Sequence, residues 1–342
     1  MTVLGAGTAF PPTVLTTEEL LALAAPRLWP DRPAPDAERL SFLASGLAET
    51  LGVRRRAFSH MPGAPLDHGR EPSSFTLGLE AARRALADAE LDPGSIDLVL
   101  ASTSTPHRMT GTLSAGLGAE LGIHAACMDV RAGCSGGLFA LATAGLYLAA
   151  GARHVLLVGA ETFSKILPPD SKIALVSLGD GAGALVLGKR PHACLRAVYL
   201  ATDGALGRLI TTDGALPPTA AEIERGGYLL SGAPEELLAV VPSRYAEAIG
   251  AALARAGITA SEVDLFVPHQ TSEALVRRVA GGAGIAMDRA FLNVAEHANI
   301  GAAGWICAFA EARASGLARA GARVLLAAVG GGMSWAAAVL EP

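Results

Sequence analysis

The stretch Asp129-Val130-Arg131-Ala132-Gly133-Cys134-Ser135-Gly136-Gly137 lies between a short apolar run and a long segment rich in alanine and leucine. This order predicts a strand, a tight glycine-flanked turn and then a helix, with Cys134 at the helix N-terminus. Unpaired backbone N–H groups and the helix dipole favour an anion at that position. We therefore expect the Cys134 thiol to lose its proton more easily than a free cysteine, and the thiolate is the nucleophilic form.

Two interpretations of Cys134 fit this stretch alone. In the first, the thiol attacks a substrate and forms a covalent intermediate. In the second, Cys134 is a small buried hydrophobic residue in a close-packed turn. Cysteine reactivity depends on surroundings that a local stretch does not specify, so the rest of the chain has to decide between them.

The composition indicates a large buried core. The chain has 342 residues, of which 51% are hydrophobic and only 17% are charged, with forty glycines. This length suits one large domain or two of about 170 residues. A net charge of −5 and an isoelectric point near 5.9 argue against nucleic acid as the main partner. The basic cluster Arg54-Arg55-Arg56 is expected to be a solvated face, with a phosphate contact as the alternative.

The cysteine pattern and the first residues predict the cellular compartment of the protein. The four cysteines, Cys127, Cys134, Cys194 and Cys307, show neither a CxxC pair nor a metal-binding spacing. We therefore expect no disulfide framework, no metal site and a reduced, cytoplasmic protein. The first residues lack a basic region, and no apolar run reaches about 18 residues without glycine or charge. These features predict no signal peptide and no membrane span.

The second half of the chain repeats the first. A predicted helix over 75–90 precedes a strand at 96–101, and a predicted helix over 243–256 precedes a strand at 263–267. Asp97 lies 37 residues before Cys134, and Asp264 lies 35 residues before Asn299. The duplicate of the Cys134 turn therefore falls at Asn299. Strands that alternate with helices in this way predict α/β layering in two similar halves.

Three polar segments follow predicted strands, where α/β folds place their sites. They contain Cys134, His269 and Asn299. A neutral imidazole can take a proton or donate a hydrogen bond to a carbonyl, and an amide can stabilise an enolate. The run Gly330-Gly331-Gly332 can bring backbone N–H groups up to an oxyanion. Singly, each has a structural explanation: a strand cap, a turn or close packing. Together, at matched positions of a duplicated fold, they favour a site.

These motifs resemble the ketoacyl synthase III branch of the thiolase superfamily over nearly the whole chain. The resemblance is carried by Asp129–Gly137, Gly179-Asp180-Gly181-Ala182-Gly183-Ala184, Val267-Pro268-His269-Gln270, Asn293-Val294 through Asn299, and Gly330-Gly331-Gly332-Met333-Ser334-Trp335. It implies an α/β, thiolase-like duplicated αβαβα five-layer fold. Residues 1–190 would form the half that carries the cysteine, and residues 191–342 the half that carries the histidine and asparagine.

The same resemblance implies the chemistry. Cys134, His269 and Asn299 would form a triad that takes an acyl group from acyl-CoA or an acyl-carrier-protein thioester. The acyl chain would then pass to a malonyl thioester with loss of carbon dioxide. The backbone N–H groups of Cys134 and Gly331 would form the oxyanion hole. The family also implies a homodimer, no permanently bound cofactor and no nucleic-acid or membrane partner.

Departures from the family concern carrier and coenzyme binding. Ala274 stands where the family has an arginine that docks acyl carrier protein, and Arg277 and Arg278, one turn on, are candidate substitutes. Lys172 stands where an arginine stacks on coenzyme A; a lysine can hold a phosphate but stacks less well. The tryptophan partner of that arginine is expected near Gly46, where the sequence has no aromatic residue except Phe42.

Two further departures concern the acyl side of the site. Met109 stands where the family has a phenylalanine that lines the acyl pocket, so the pocket is expected to be larger or differently shaped. His297, two residues before Asn299, is a further substrate-binding candidate that faces either the site or solvent.

Three functions remain open from the sequence. The first is a ketoacyl synthase III-like condensing enzyme of a specialised polyketide- or fatty-acid-like pathway. The second shares the acyl-enzyme on Cys134 but transfers the acyl group to a hydroxyl or amine, with His269 as general base. The third is a non-catalytic partner subunit, which we expect to have lost the triad that this chain keeps.

Overall fold

The computed structural model describes residues 1–31, 33–62, 64–190 and 194–341. The strands are β1 Thr2–Ala9, β2 Val14–Thr16, β3 Arg55–Ala57, β4 Leu98–Ser102, β5 Ala126–Asp129, β6 Val155–Thr162, β7 Asp180–Gly188, β8 Cys194–Thr202, β9 Ile210–Thr212, β10 Leu230–Gly232, β11 Leu265–Pro268, β12 Val324–Gly330 and β13 Ser334–Glu341. The helices are α1 Thr17–Leu28, α2 Ala37–Leu51, α3 Ser74–Asp88, α4 Leu113–Leu121, α5 Gly136–Ala149, α6 Lys172–Ser177, α7 Ala220–Glu224, α8 Pro234–Ala256, α9 Glu273–Gly282, α10 Val294–His297 and α11 Gly304–Ala314.

Two mixed sheets form the frame. The first has the order β1-β7-β6-β4-β5, with β4 parallel to β5 and β6; the second has the order β11-β12-β13-β8, with β11 parallel to β12. Every residue of β4, β6, β7 and β12 is buried. Strands buried on both faces read as continuous apolar runs and need helices on each side.

Helices pack on both faces of each sheet, which gives the fold five layers. Helices α3 and α4 pack on the outer face of the first sheet. Helices α5 and α11 lie between the sheets and share one apolar core with both. Helices α8 and α9 pack on the outer face of the second sheet. The predicted α/β five-layer architecture is confirmed.

The same aspartate–arginine contact recurs in both halves, between the residues that precede two neighbouring parallel strands. Asp97 accepts hydrogen bonds from the backbone N–H of Arg153 at 2.7 Å and from its Nη2 at 2.8 Å. Asp264 accepts from the backbone N–H of Arg323 at 2.8 Å and from its Nε at 3.3 Å. The strands of the first large sheet lie within residues 2–188, and those of the second lie within residues 194–341. We propose that the boundary between the two halves falls in the gap between these ranges, close to the predicted residue 190.

The two helices α1 and α8 differ in how they begin. Thr16 and Glu19 form a reciprocal capping box at the start of α1. Helix α8 begins at Pro234, earlier than the predicted residue 243, and continues through Pro242. By length and composition, α8 is the one described helix that qualifies as a membrane-spanning candidate. Its face around Tyr245 and Ala248 packs against the second sheet, which is the position of a core helix.

The basic cluster at residues 54–56 is not the uniformly solvated face that was expected. Arg54 and Arg55 are exposed and both pair with Glu296. Arg56 is completely buried, because β3 pairs with β2 and turns this side chain inward. That part of the prediction was wrong.

Candidate active site

Cys134 lies in the turn between β5 and α5, as predicted. Gly133, immediately before it, has φ +53°, and a Cβ there would lie 2.5 Å from the backbone N of Gly331. A Cβ on Gly330 would lie 2.3 Å from the backbone N of Cys134. The glycine run after β12 therefore packs directly on the cysteine turn, and only glycine permits this approach.

The electrostatics of the thiol differ from the sequence-based expectation. Cys134 is only partly exposed, and burial raises the pKa of its thiol to about 12. The carboxyl group of Glu161 acts in the same direction, since a nearby negative charge disfavours a thiolate. The expected lowering of the pKa at the helix N-terminus is thus outweighed by desolvation, and the resting cysteine holds its proton.

His269 follows β11, and its backbone N–H donates to the carbonyl of Ala327 in β12 at 2.7 Å. Its side chain is fully buried, and neither ring nitrogen has a hydrogen-bond partner among the described residues. A Cβ on Gly304 would lie 2.9 Å from Nδ1, so α11 begins directly against the ring. Burial lowers the pKa of His269 to about 4, and the imidazole is neutral at pH 7.

Asn299 is held by its backbone on both sides. Its N–H donates to the carbonyl of Ser177 at 2.9 Å, and its carbonyl accepts from the N–H of Gly179 at 3.0 Å. The side-chain Oδ1 accepts from the N–H of Gly301 at 2.9 Å. Because the oxygen is engaged, the amide presents its NH2 group as a donor.

Arg56 reaches the segment that holds Asn299, a link that the sequence did not reveal. Its Nη2 donates to the carbonyl of Val176 at 2.7 Å, next to Ser177, and to the hydroxyl of Thr17 at 2.9 Å. Burial lowers the pKa of Arg56 to about 10, so it remains charged at neutral pH. A buried charge thus supports the backbone beside Asn299.

Glu161 is a second buried group that sequence reasoning missed. Its carboxylate accepts from the N–H of Ser104 at 3.0 Å, the hydroxyl of Thr105 at 2.6 Å and the N–H of Ala302 at 3.3 Å. Burial raises its pKa to about 7. Glu161 therefore joins the first half to the segment that follows Asn299. The signal was present, because it is the single acidic residue at the end of an otherwise apolar strand.

The candidates for carrier and coenzyme binding are dispersed over the surface. Arg277 forms an ion pair with Glu273 on α9, and Arg278 is exposed beside it. Lys172 begins α6 and shares a 240 Å³ cavity with Trp29 and Arg39. This tryptophan comes from the end of α1 and not from the expected position near Gly46.

The two candidates for the acyl side differ. Met109 is 72% exposed on the segment between β4 and α4. His297 has a structural partner: its Nε2 lies 2.8 Å from a carboxylate oxygen of Glu311, and its ring stacks on Phe10 at 4.1 Å. His297 therefore has a carboxylate partner within the fold, and its part in substrate binding stays a prediction. No cluster of three or more potential metal ligands occurs in the part of the chain that the structure describes.

Sequence profiles of known families match two parts of the chain. Residues 128–204 match 3-oxoacyl-[acyl-carrier-protein] synthase III, and residues 253–341 match the C-terminal part of 3-oxoacyl-[acyl-carrier-protein] synthase III. The first segment contains Cys134, and the second contains His269 and Asn299.

Whole-length similarities agree with these matches. The chain is 36% identical over 303 residues to the β-ketoacyl-[acyl-carrier-protein] synthase III of Brucella anthropi, covering 86% of this chain and 90% of that protein. It is 33% identical over 343 residues to the enzyme of that name from Erythrobacter litoralis, covering 98% of both chains. The crystal structure of 3-oxoacyl-(acyl carrier protein) synthase III from Pseudomonas aeruginosa superimposes with a TM-score of 0.84 at 27% identity, covering 99% of this chain and 97% of the other.

Proposed function

The chain belongs to the 3-oxoacyl-[acyl-carrier-protein] synthase III family, and from this membership we propose that it condenses an acyl group carried on Cys134 with a malonyl thioester. The observation that carries the proposal is the fully buried His269, whose two ring nitrogens have no partner among the described residues. Buried polar groups are normally hydrogen-bonded, so a group that enters with the substrate completes the site.

In the first half-reaction, the Cys134 sulfur attacks the carbonyl carbon of the incoming acyl thioester. The bond from that carbon to the carrier sulfur breaks, and the carrier leaves as a thiol with the proton that Cys134 gave up. The N–H groups of Cys134 and Gly331 stabilise the transient oxyanion. The close contact between the Cys134 turn and the glycine run supports this assignment.

In the second half-reaction, His269 and Asn299 donate hydrogen bonds to the carbonyl oxygen of the malonyl thioester. Loss of carbon dioxide leaves an enolate, whose carbon attacks the acyl carbonyl and releases the Cys134 sulfur. A histidine with a pKa of about 4 is a neutral donor at pH 7, which suits this role.

The low pKa of His269 weighs against transfer of the acyl group to a hydroxyl or amine. In that reaction His269 would have to accept a proton as a general base. Efficient bases have a pKa near the working pH, and burial moves the pKa of His269 well below it. The retained cysteine, histidine and asparagine also weigh against a non-catalytic subunit.

The partners follow from the reaction. We propose acyl-CoA or acyl carrier protein as donor, with Arg277 and Arg278 meeting the carrier and Lys172, beside Arg39, meeting a coenzyme phosphate. The position of β5 at the edge of the first sheet and the exposed Met109 support a homodimer. Free thiols at Cys127, Cys134 and Cys307 suit the reducing cytoplasm.

The test is intact-protein mass spectrometry with a panel of acyl-CoA and acyl-carrier thioesters, followed by malonyl-carrier. We expect a mass gain from the acyl group, then its loss together with release of carbon dioxide and a ketoacyl product. An adduct that persists with malonyl-carrier but is discharged by an alcohol or amine would overturn the condensing role. Absence of any adduct would reject the acyl-enzyme itself.

A further inference from the structure

A cavity of about 390 Å³ is lined by Gly133, the residue before Cys134, and by Gly331 of the glycine run. These two backbones are in contact, because a Cβ on Gly133 would lie 2.5 Å from the N of Gly331. Its volume is at the lower end of the range for small-molecule sites, which suits a short acyl group. An acyl group on Cys134 therefore has this cavity as its neighbouring space.

The cavity lining mixes polar and apolar groups, with somewhat more apolar than polar surface. Four of the lining residues carry hydroxyl groups: Thr103, Ser104, Thr202 and Ser334. The hydroxyls of Thr202 and Ser334 lie 3.0 Å apart and hydrogen-bond to each other. Ala132 and Phe139 are the apolar side chains of the lining. This mixed lining offers apolar contacts to a short alkyl spacer and hydroxyl groups to polar atoms further along the acyl group.

Arg131 adds a positive charge to the same cavity. It is exposed, and no carboxylate within the described part of the chain pairs with it. Asp129, two residues earlier, directs its oxygens to the N–H groups of Leu113 at 2.7 Å and Ser114 at 2.9 Å. Glu161, behind the Ser104 wall, is satisfied by backbone and hydroxyl donors. The Arg131 guanidinium is thus available to an anion from the substrate.

We propose that Arg131 is a specificity-determining residue that selects a short acyl group ending in a carboxylate. This inference rests on the proposed acyl-enzyme. The Cys134 sulfur forms a thioester with the near carbonyl, the thioester bond to coenzyme A breaks, and coenzyme A leaves as a thiol. The far carboxylate takes no part in bond making and pairs with Arg131.

The experiment compares two thioesters of matched shape, succinyl-CoA and 4-methylpentanoyl-CoA, whose branched methyl end replaces the carboxylate. Succinyl is chosen over malonyl because its carboxylate is not placed for decarboxylation. The rate of mass gain on the wild-type protein is expected to be at least about tenfold higher for succinyl-CoA. Arg131→Ala is expected to remove that preference, and Arg131→Lys to keep part of it. Arg83→Ala, which removes an exposed arginine from α3, serves as the matched control.

Equal rates for the two thioesters, or an unchanged ratio in Arg131→Ala with an unchanged thermal unfolding temperature, would overturn the inference. Labelling by acetyl-CoA or butyryl-CoA in the absence of succinyl labelling would reject the carboxylate preference and leave the acyl-enzyme intact. Failure of every thioester to label Cys134 would reject the proposed function, and this inference with it.

Discussion

The turn before Cys134 and the turn before Asn299 occupy matched positions in the two halves, yet they are built from different residues. Gly133 has φ +53° and Ala298 has φ +58°, so both turns use the left-handed side of backbone space. Glycine adopts this region at no steric cost, whereas alanine is strained there. A positive φ is therefore relaxed at Gly133 and strained at Ala298, where ψ is −160°.

The surroundings explain the difference. A side chain at Gly133 would meet the backbone of Gly331, so packing as well as φ requires glycine. Ala298 is fully buried with Val53 and Val294 in a small apolar cluster, which gives its methyl group a place. The Cys134 turn is thus shaped by the approach of a second backbone, and the Asn299 turn is shaped by side-chain packing.

Loss of the nucleophile should have the largest effect. We expect Cys134→Ala to abolish the acyl adduct completely, because no other group in the turn supplies a thiol. Intact-protein mass spectrometry with the reactive thioester measures it. Cys127→Ala, which removes a free thiol from β5, is the control and should label normally. Retained labelling of Cys134→Ala would assign the nucleophile to another residue.

Asn299→Ala should impair the second half-reaction and leave the first largely intact. Acylation of Cys134 is expected to persist, while condensation with malonyl-carrier falls by about 10²–10³-fold, since one donor to the enolate oxygen is removed. Product formation and carbon dioxide release are measured beside the rate of adduct formation. Equal losses in both steps would mean that Asn299 supports the fold of the site and not its second reaction.

Gly133→Ala should damage stability and acylation together. The new Cβ would be 2.5 Å from the Gly331 N and strained at φ +53°, so the free energy of unfolding should fall by about 2–3 kcal/mol. Urea unfolding and adduct formation report the two effects. Gly257→Ala is a matched control: its φ of +66° is close to that of Gly133, but nothing lies within 4 Å of an added Cβ. Equal losses of stability and of adduct formation in both variants would mean that the positive φ causes the effect and the contact with Gly331 does not.

Glu161 contacts the segment after Asn299 and lowers the acidity of Cys134, so it connects the two turns. Its pKa of about 7 is above the value of an unfolded glutamate. Such a group binds a proton more tightly when folded, so its contribution is greatest below about pH 4 and is lost as pH rises to 7. Glu161→Gln should flatten this part of the stability profile, by about 1 kcal/mol per pH unit. Urea unfolding at pH 5, 6, 7 and 8 measures it, and parallel wild-type and variant profiles would contradict it.

The smallest effect is expected from Ala298→Gly. Relief of the strained backbone should exceed the lost methyl packing and the greater freedom of unfolded glycine, for a net gain of about 1 kcal/mol. Thermal and urea unfolding detect a gain of this size. A loss of stability instead would show that packing with Val53 and Val294 outweighs the strain.

Local signals in the sequence were enough for much of the fold and for the identity of the candidate triad. Apolar periodicity located the helices and strands, and the duplicated aspartates Asp97 and Asp264 aligned the two halves. These features depend on residues close together in the chain or on a repeat that can be read directly.

Only the tertiary structure decided the electrostatics. It raised the pKa of Cys134, buried Arg56, placed Glu161 between the halves and gave His297 a carboxylate partner. Desolvation and charge–charge interactions depend on which distant segments of the chain pack around a titratable group. The sequence by itself therefore identified the candidate site residues, and the packing of distant segments determined their protonation and their partners.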